Sequence, residues 1–450
     1  MAPKPKPLAL DGRTLEGGGQ LLRLAVSLSA LTYLPIAITS IRANRAPRRA
    51  SQPAGGLKAA HLAAVEWLAR ASRAGTTGME KGSPELEFRP LQRGEFVRET
   101  KKKKKNDDGG GEGAGVWRDV YDVDGGSRVV RRETEIRLDS PGSVCLILQA
   151  ILPYLLFHAP DDAAGSSVAD ADAGPGTTDG SVPLRVVING GTNVSKSPSI
   201  EYIDQVLIPM LVEKVGIPPI TSQIIKRGWS SGRADVGAVR FDLTALPSNS
   251  KLSEFHFTDR GDVTRMHVSI LASDSAARNT LKKLVIERLL ARHPDVEIVF
   301  PIEEDTKNGA RLYLLIVAET SNGYRLGRDC LWERKSNASM LETVANTVTK
   351  QLEEELQRGG CVDEYMQDQL VVFQALAEGR SVVDSGKDMY ATLHTRTARW
   401  VAELLLGLTF DERGTCGGCG FEVGEDFLAR EKTEREVKDS TEGVERLEIA

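Results

Sequence analysis

Residues 10–42 read LDGRTLEGGGQLLRLAVSLSALTYLPIAITSIR, and their pattern sets the expectation for the whole chain. Gly19 to Leu31 has the length and apolar density of a buried helix, and Pro35 to Arg42 alternates as a strand does. A second helix is predicted over Leu57 to Ala71. The same grammar returns twice. SPGSVCLILQAILPYLLF, residues 140–157, is a Gly-led apolar helix followed by the strand LRVVING at 184–190. DEYMQDQLVVFQALAEG, residues 363–379, and TARWVAELLLGL, residues 397–408, make a third unit. Three helix-and-strand units of similar grammar predict a layered α/β (α+β) fold with an internally repeated domain.

Residues 250–356 have another order. A strand (Val263–Leu271) precedes a helix (Ala276–Arg292). Strands follow near Val296–Pro301, Arg311–Thr320 and 324–333, then a helix (Met340–Leu356). This β-α-β-β-β-α unit is large enough to be a small inserted domain. The predicted organisation is a discontinuous repeat domain, 1–249 and 357–430, interrupted by 250–356. Segments 97–116 and 160–181 and the charged tail 431–450 are sparse in large apolar residues and are expected to be flexible. Lys101–Lys105 suits a nuclear import signal and equally a solvated loop tip.

Composition narrows the class. Hydrophobic residues make up 40% and charged residues 27% of the 450, the ordinary range for soluble chains. No stretch reaches the ~18 uncharged apolar residues of a spanning helix. The N-terminus MAPKPKPLAL lacks an apolar signal core, so no secretory signal is expected. Five cysteines, an odd number, argue against a disulfide framework. The net charge of −5 excludes a globally basic nucleic-acid binder, yet Asp11 to His61 carries seven Lys/Arg against two acids. That stretch is suited to holding phosphates.

Within it, three glycines (Gly17–Gly19) open the first helix. A helix N-terminus offers free N–H groups and a positive dipole end, and glycine lets a ligand approach the backbone. Gln20, Arg23 and Ser27 fall on one helix face. Arg42 and Arg45, with Arg48 and Arg49 beyond, form a guanidinium cluster of the kind that binds phosphate bidentately. His61 begins a helical run. Tyr365, Asp368 and Gln369 share a helix face, where a carboxylate can hold a divalent metal or orient an imidazole. His394 is placed just before a long apolar helix with Thr395 or Thr397 as its cap; a helix N-terminus favours the neutral, nucleophilic imidazole. Taken singly, each feature also has a structural explanation: a tight turn, a surface arginine, a core histidine. Cys416 and Cys419 have CxxC spacing, but no second pair follows, and they are expected to be incidental.

Together these blocks resemble the RNA 3′-terminal phosphate cyclase family. The match runs in family order through LDGRTLEGGGQLLR, ITSIRANR, GGLKAAHLAAV, the segment GSVCLILQ ending at Gln149, INGGTN (Ile188–Asn193), DRGDV (Asp259–Val263), DEYMQDQL and LHTRTA. The resemblance implies three repeated α/β units with a thioredoxin-like insert. It implies an ATP-dependent ligase forming a phosphoric ester bond, acting on RNA with a 3′-phosphate end. A histidine takes AMP from ATP, passes it to the RNA 3′-phosphate, and the neighbouring 2′-hydroxyl then expels AMP to leave a 2′,3′-cyclic phosphate. A divalent metal, Mg or Mn, and a nuclear location also follow from it.

Position by position, the resemblance makes His394 the nucleophile. It makes Glu16 a contact to metal or imidazole, and Arg23, Arg42 and Arg45 phosphate ligands. It places His61 near the RNA phosphate or ATP. Tyr365, Asp368 and Gln369 match the nucleotide-pocket motif, and Gln20 and Gln149 stand in matched blocks. The chain departs from the family pattern at Ala60, where glutamine is usual, and at 228–239, where GWSSGRADVGAV replaces a Gly-rich turn. A non-catalytic branch of the family acts in ribosomal RNA processing and lacks the histidine and the EGGGQ block; both stand here and favour the enzyme. Enolpyruvyl transferases share the repeat architecture but not the histidine motif.

Overall fold

In the computed structural model, residues 5–44, 55–91, 121–122, 129–130, 133–158, 183–333, 339–387 and 391–430 are described. The segments 97–116 and 160–181, the tail 431–450, Lys101–Lys105 and Arg45 lie outside the described residues. Strand β1 (Leu8–Asp11) runs parallel to β2 (Ile36–Thr39), joined by helix α1 (Gly19–Thr32). A parallel pair needs a long crossover, which the helix supplies. Helix α2 (Ala59–Ala71) leads to β3 (Gly75–Thr77) and β4 (Leu86–Arg89), which close an antiparallel edge in the order β1-β2-β4-β3. Strands β5 (Tyr121–Asp122) and β6 (Val129–Val130) form a separate short ladder.

The second unit repeats the first. Strand β7 (Glu133–Ile136), helix α3 (Val144–Phe157), strand β8 (Pro183–Gly190), helix α4 (200–215), β9 (Ile220–Lys226) and β10 (Gly237–Thr244) give the order β7-β8-β10-β9. Strand directions match those of the first sheet. Helix α4 alternates short α and π pieces, a widened geometry that often marks functional regions. The third sheet begins at β11 (His256–Phe257).

Between that strand and the rest of its sheet come β12 (Val263–Ala272), helix α5 (Ser275–Leu290), β13 (Glu297–Asp305), β14 (Tyr313–Thr320), β15 (Arg325–Leu331) and helix α6 (Met340–Arg358). Every expected element of this stretch is present, within a few residues at each end. Its sheet has the order β13-β12-β14-β15. One face packs Met266, Val268, Leu314 and Ile316 against Val285 of α5 and Val344 and Val348 of α6. The other face, with Tyr313, Leu315, Val317 and Leu326, belongs to the main core. The third unit then completes itself with helix α7 (Glu364–Leu376), β16 (Glu378–Val383), helix α8 (Leu393–Leu406) and β17 (Cys416–Cys419), in the order β11-β16-β17.

Helix α1 lies at the centre. From Gln20 to Thr32 every residue but Arg23 is buried, as expected for a helix apolar all round. It packs against α2, α3 and α8, one or more helices from each repeat. A buried ion pair ties the second repeat to β13. Arg227 bonds the fully buried Glu201 of α4 and, at 2.7 Å, Glu304. Asn193 donates to the other Glu201 oxygen at 2.8 Å. Removing one partner of such a pair strands a charge. We predict that Arg227→Met lowers stability by about 3–5 kcal/mol, and that adding Glu201→Gln restores most of it. Chemical denaturation of the single and double variants measures both; equal losses would refute the role of the pair.

Candidate active site

The glycine-led turn before α1 is shaped around one carboxylate. Gly17 has φ +58°, a left-handed backbone. A side chain at Gly18 would fall 2.0 Å from the Glu16 carboxylate. Without one, Glu16 folds back, buried, and accepts the Gly18 N–H at 2.7 Å. The Glu16 N–H in turn donates to Thr397 Oγ1 on α8 at 3.1 Å. At Gly19 a side chain would meet Arg23 Nη1 at 2.6 Å and His61 Nε2 at 2.7 Å. Glycine therefore opens the α1 N-terminus directly onto an arginine and a histidine.

Arg23 Nε donates to Gln149 Oε1 at 2.9 Å, and Nη2 to Gln20 Oε1 at 2.7 Å. Burial lowers the pKa of Arg23 to about 10, opposed by Asp368 and Glu16. His61 is held well below its usual value, first by burial and then by Arg23, Arg42 and Lys58. It is a neutral ring at pH 7. Its Nδ1 accepts the Lys58 N–H at a long 3.5 Å, leaving Nε2 as the donor. Arg42 sits in the left-handed region, φ 57°, and donates to Gly56 O at 3.1 Å. Arg23 and a neutral His61 thus face one helix N-terminus, with Arg42 and Lys58 near enough to act on the imidazole, an arrangement suited to a phosphate.

Helices α7 and α8 supply the other wall. Asp368 is pushed up to about 6 by burial, while His394 and then Arg23 pull it back. Gln369 donates to Asp368 Oδ1 at 3.3 Å. Tyr365, one turn earlier, is raised to about 12, chiefly by burial. His394 is exposed and is the second residue of α8, inside the helix rather than before it. The cap is Thr392, whose Oγ1 accepts the Thr395 N–H at 3.1 Å, and not Thr395 or Thr397. Those two threonines face inward instead. Thr395 donates to Gln367 Oε1 of α7 at 2.9 Å, and Thr397 receives Glu16. The nucleophile candidate points out while its helix turn is fixed from two sides.

Between α1, α3, α4 and α7 runs a narrow cleft. Gln20, Arg23, Gln149, Asp368 and Gln369 form its polar end; Leu24, Leu148, Leu152, Pro153, Val372 and Phe373 line its apolar part. Glu16, Gln20, Arg23, His61, Gln149, Asp368, Gln369 and His394 therefore converge from all three repeats. Ser27, on the same face of α1, lies buried outside the cleft. Lys58, and Thr397 as the acceptor of the Glu16 N–H, do not stand out in the sequence. Lys58 stands three residues before His61, a spacing that could have marked it; Thr397 gives no local signal. Among the described residues no three His, Cys, Asp or Glu side chains group to hold a metal. Glu16 is a single carboxylate already bonded to Gly18. Magnesium is commonly held by one or two carboxylates plus substrate phosphates, and Glu16 and Asp368 fit that mode. Cys416 and Cys419 are free, with thiols raised by burial to about 12 and 11, which suits inert side chains. No helix among the described residues is long and apolar enough to cross a membrane.

The model of a family described as RNA 3′-terminal phosphate cyclase matches residues 14–411. A probable RNA 3′-terminal phosphate cyclase of Dictyostelium discoideum is 30% identical over 413 residues, covering 89% of this chain and 77% of that protein. An RNA 3′-terminal phosphate cyclase of Drosophila melanogaster is 29% identical over 428 residues, covering 92% and 94%. One of Methanopyrus kandleri is 30% identical over 414 residues, covering 91% and 96%.

The Asp368 environment gives a pH test. An aspartate ionises near 3.8 when unperturbed and near 6 here. Between those values the folded chain keeps the extra proton, so stability falls as pH rises through the window, and the cost is complete above about pH 6. We predict that Asp368→Asn is more stable than wild type at pH 8 by about 1–3 kcal/mol, and that the difference closes below about pH 4. Melting temperatures across that range decide it; a difference that does not change with pH would refute it.

Proposed function

The chain belongs to the RNA 3′-terminal phosphate cyclase family, and from that premise we propose that it converts an RNA 3′-phosphate end to a 2′,3′-cyclic phosphate at the expense of ATP, with AMP carried on His394. The observation that carries this is the meeting of His394, Asp368 and Arg23, one from each of three helices, beside the open N-terminus of α1.

A phosphate monoester is a poor electrophile with no leaving group, so it has to be activated. A ring nitrogen of His394 attacks the α-phosphorus of ATP, a P–N bond forms, and pyrophosphate departs. An oxygen of the RNA 3′-phosphate then attacks that phosphorus, and His394 leaves. The adjacent 2′-hydroxyl attacks the 3′-phosphorus, gives up its proton, and AMP departs. Splitting the reaction so replaces one hard step by three easier ones. Asp368, ionised above about pH 6, steadies the positive charge that gathers on the imidazole as it attacks. Arg23, His61 and the α1 N–H groups receive phosphate oxygens, with Arg42 and Lys58 behind them. The apolar cleft receives the adenine base, with Gln369 and Tyr365 at its rim. A divalent cation entering with the triphosphate would be met by Glu16 and would offset phosphate charge.

The same proposal takes 250–356 as an inserted domain, and from Lys101–Lys105 a nuclear location. The non-catalytic alternative is not favoured, since His394 and the EGGGQ block both stand.

His394 is exposed, so His394→Ala removes the nucleophile with little effect on packing. Incubated with α-labelled ATP and magnesium, wild type should retain an acid-labile label through denaturing electrophoresis, and the variant none. An unlabelled wild-type protein, or an equally labelled variant, would overturn the proposal.

A further inference from the structure

The start of α7 is clamped from outside its own repeat. Asp363 caps it: Oδ1 accepts the Tyr365 and Met366 N–H groups at 2.9 Å each, and the Tyr202 hydroxyl at 2.7 Å. Oδ2 accepts the Gly327 N–H of β15 at 2.7 Å. A side chain at 327 would sit 3.0–3.2 Å from Val206 and the Tyr202 ring, so glycine lets the strand come this near. The next residue, Arg328, is buried. It bonds the buried Glu355 of α6 and, at 2.7 Å, Glu364 of α7. Its guanidinium carbon also lies 4.7 Å from the centre of the Tyr365 ring. Tyr202 meets that ring edge-on at 5.6 Å. Residues 365, 368, 369, 372 and 373 recur at the spacing of one helix face, and the last four line the cleft.

We propose that Arg328 is a positioning residue for the nucleotide: it lies over the Tyr365 ring and ties Glu355 to Glu364, which fixes the first turn of α7 and with it the ring that meets the base of ATP. This rests on the ATP site proposed above. A guanidinium is flat as well as charged, so its Nη2 can bond both carboxylates while the group lies over the aromatic ring. A lysine can keep the charge but not the plane. An ion pair serving the fold alone would need no contact with Tyr365, and Glu355 and Glu364 would suffice for it. β15 therefore reaches the nucleotide through a side chain that never touches it.

The test measures ATP binding to the full chain by calorimetry. Arg328→Met is made together with Glu355→Gln, so that no buried carboxylate is left without its cation. It is compared with Arg328→Lys, with Tyr365→Ala, and with the three changes combined. The paired variant should weaken ATP binding about tenfold. Arg328→Lys should recover only part of that loss. In the Tyr365→Ala background the paired change should add nothing, because the arginine acts through the ring. ATP affinity within about twofold of wild type, or the same loss with and without Tyr365, would overturn the inference and leave the ATP site standing. A wild-type chain that binds no ATP would overturn the ATP site and the inference with it.

Discussion

A guanidinium drawn out of water needs acceptors and opposite charge on several sides, and Arg23 finds them across all three repeats. Gln20 comes from its own helix, Gln149 from α3, and the field of Asp368 from α7. Glu16 adds its charge from the preceding turn. If α3 drew back, this partly buried cation would lose a hydrogen-bond acceptor. The convergence of the repeats on α1 and the assembly of the site are thus one requirement. Arg23 is also the only residue of α1 past Gly19 that is not buried, so the site opens where the central helix lets in its single charge.

The histidine answers an opposite demand. The role proposed for His394 requires it to reach a substrate from solvent, yet keep its direction. His394 is exposed, while the turn that carries it is fixed by Thr392 as cap, by Thr395 to Gln367 and by Thr397 to Glu16. Two threonines that look interchangeable in the sequence thus tie α8 to two different elements.

Much of this was legible in the sequence because it follows periodicity. Every helix expected from an apolar run exists, since runs such as 144–157 have nowhere to go but the core. Gln20, Arg23, Gln149, Asp368 and Gln369 share one cleft, because their motifs sit near helix starts and the repeats bring those together, whereas Ser27 lies outside it. What failed to show was set by distant contacts. The cap of α8 was misplaced because Ser, Thr and Asp all cap well, and only packing chooses among neighbouring threonines. Strands β9 and β10 do not stand out in the sequence, where the departure at 228–239 reads as an altered turn; the segment links the two strands, and its last three residues belong to β10. The contact of Arg328 with the Tyr365 ring joins residues far apart in the chain and leaves no local trace. The second face of the 263–331 sheet, given over to the main core, also left no mark: strands buried on both faces lose the alternation that would reveal a side.

Burial works against charge throughout the site. It lowers Arg23 and His61 and raises Asp368, so each group is pressed toward neutrality. A polyanion reverses this at the cationic end, because phosphate oxygens beside Arg23 favour its charged form. The same phosphates would raise Asp368 further, since they offset the cation that now pulls it down. A positive charge appearing on His394 does the reverse, for the imidazole is the largest influence holding Asp368 down. Asp368 thus stands where the charge of the proposed substrate and a charge on His394 act on it in opposite directions. A carboxylate left in open water, fixed near 4, would respond to neither.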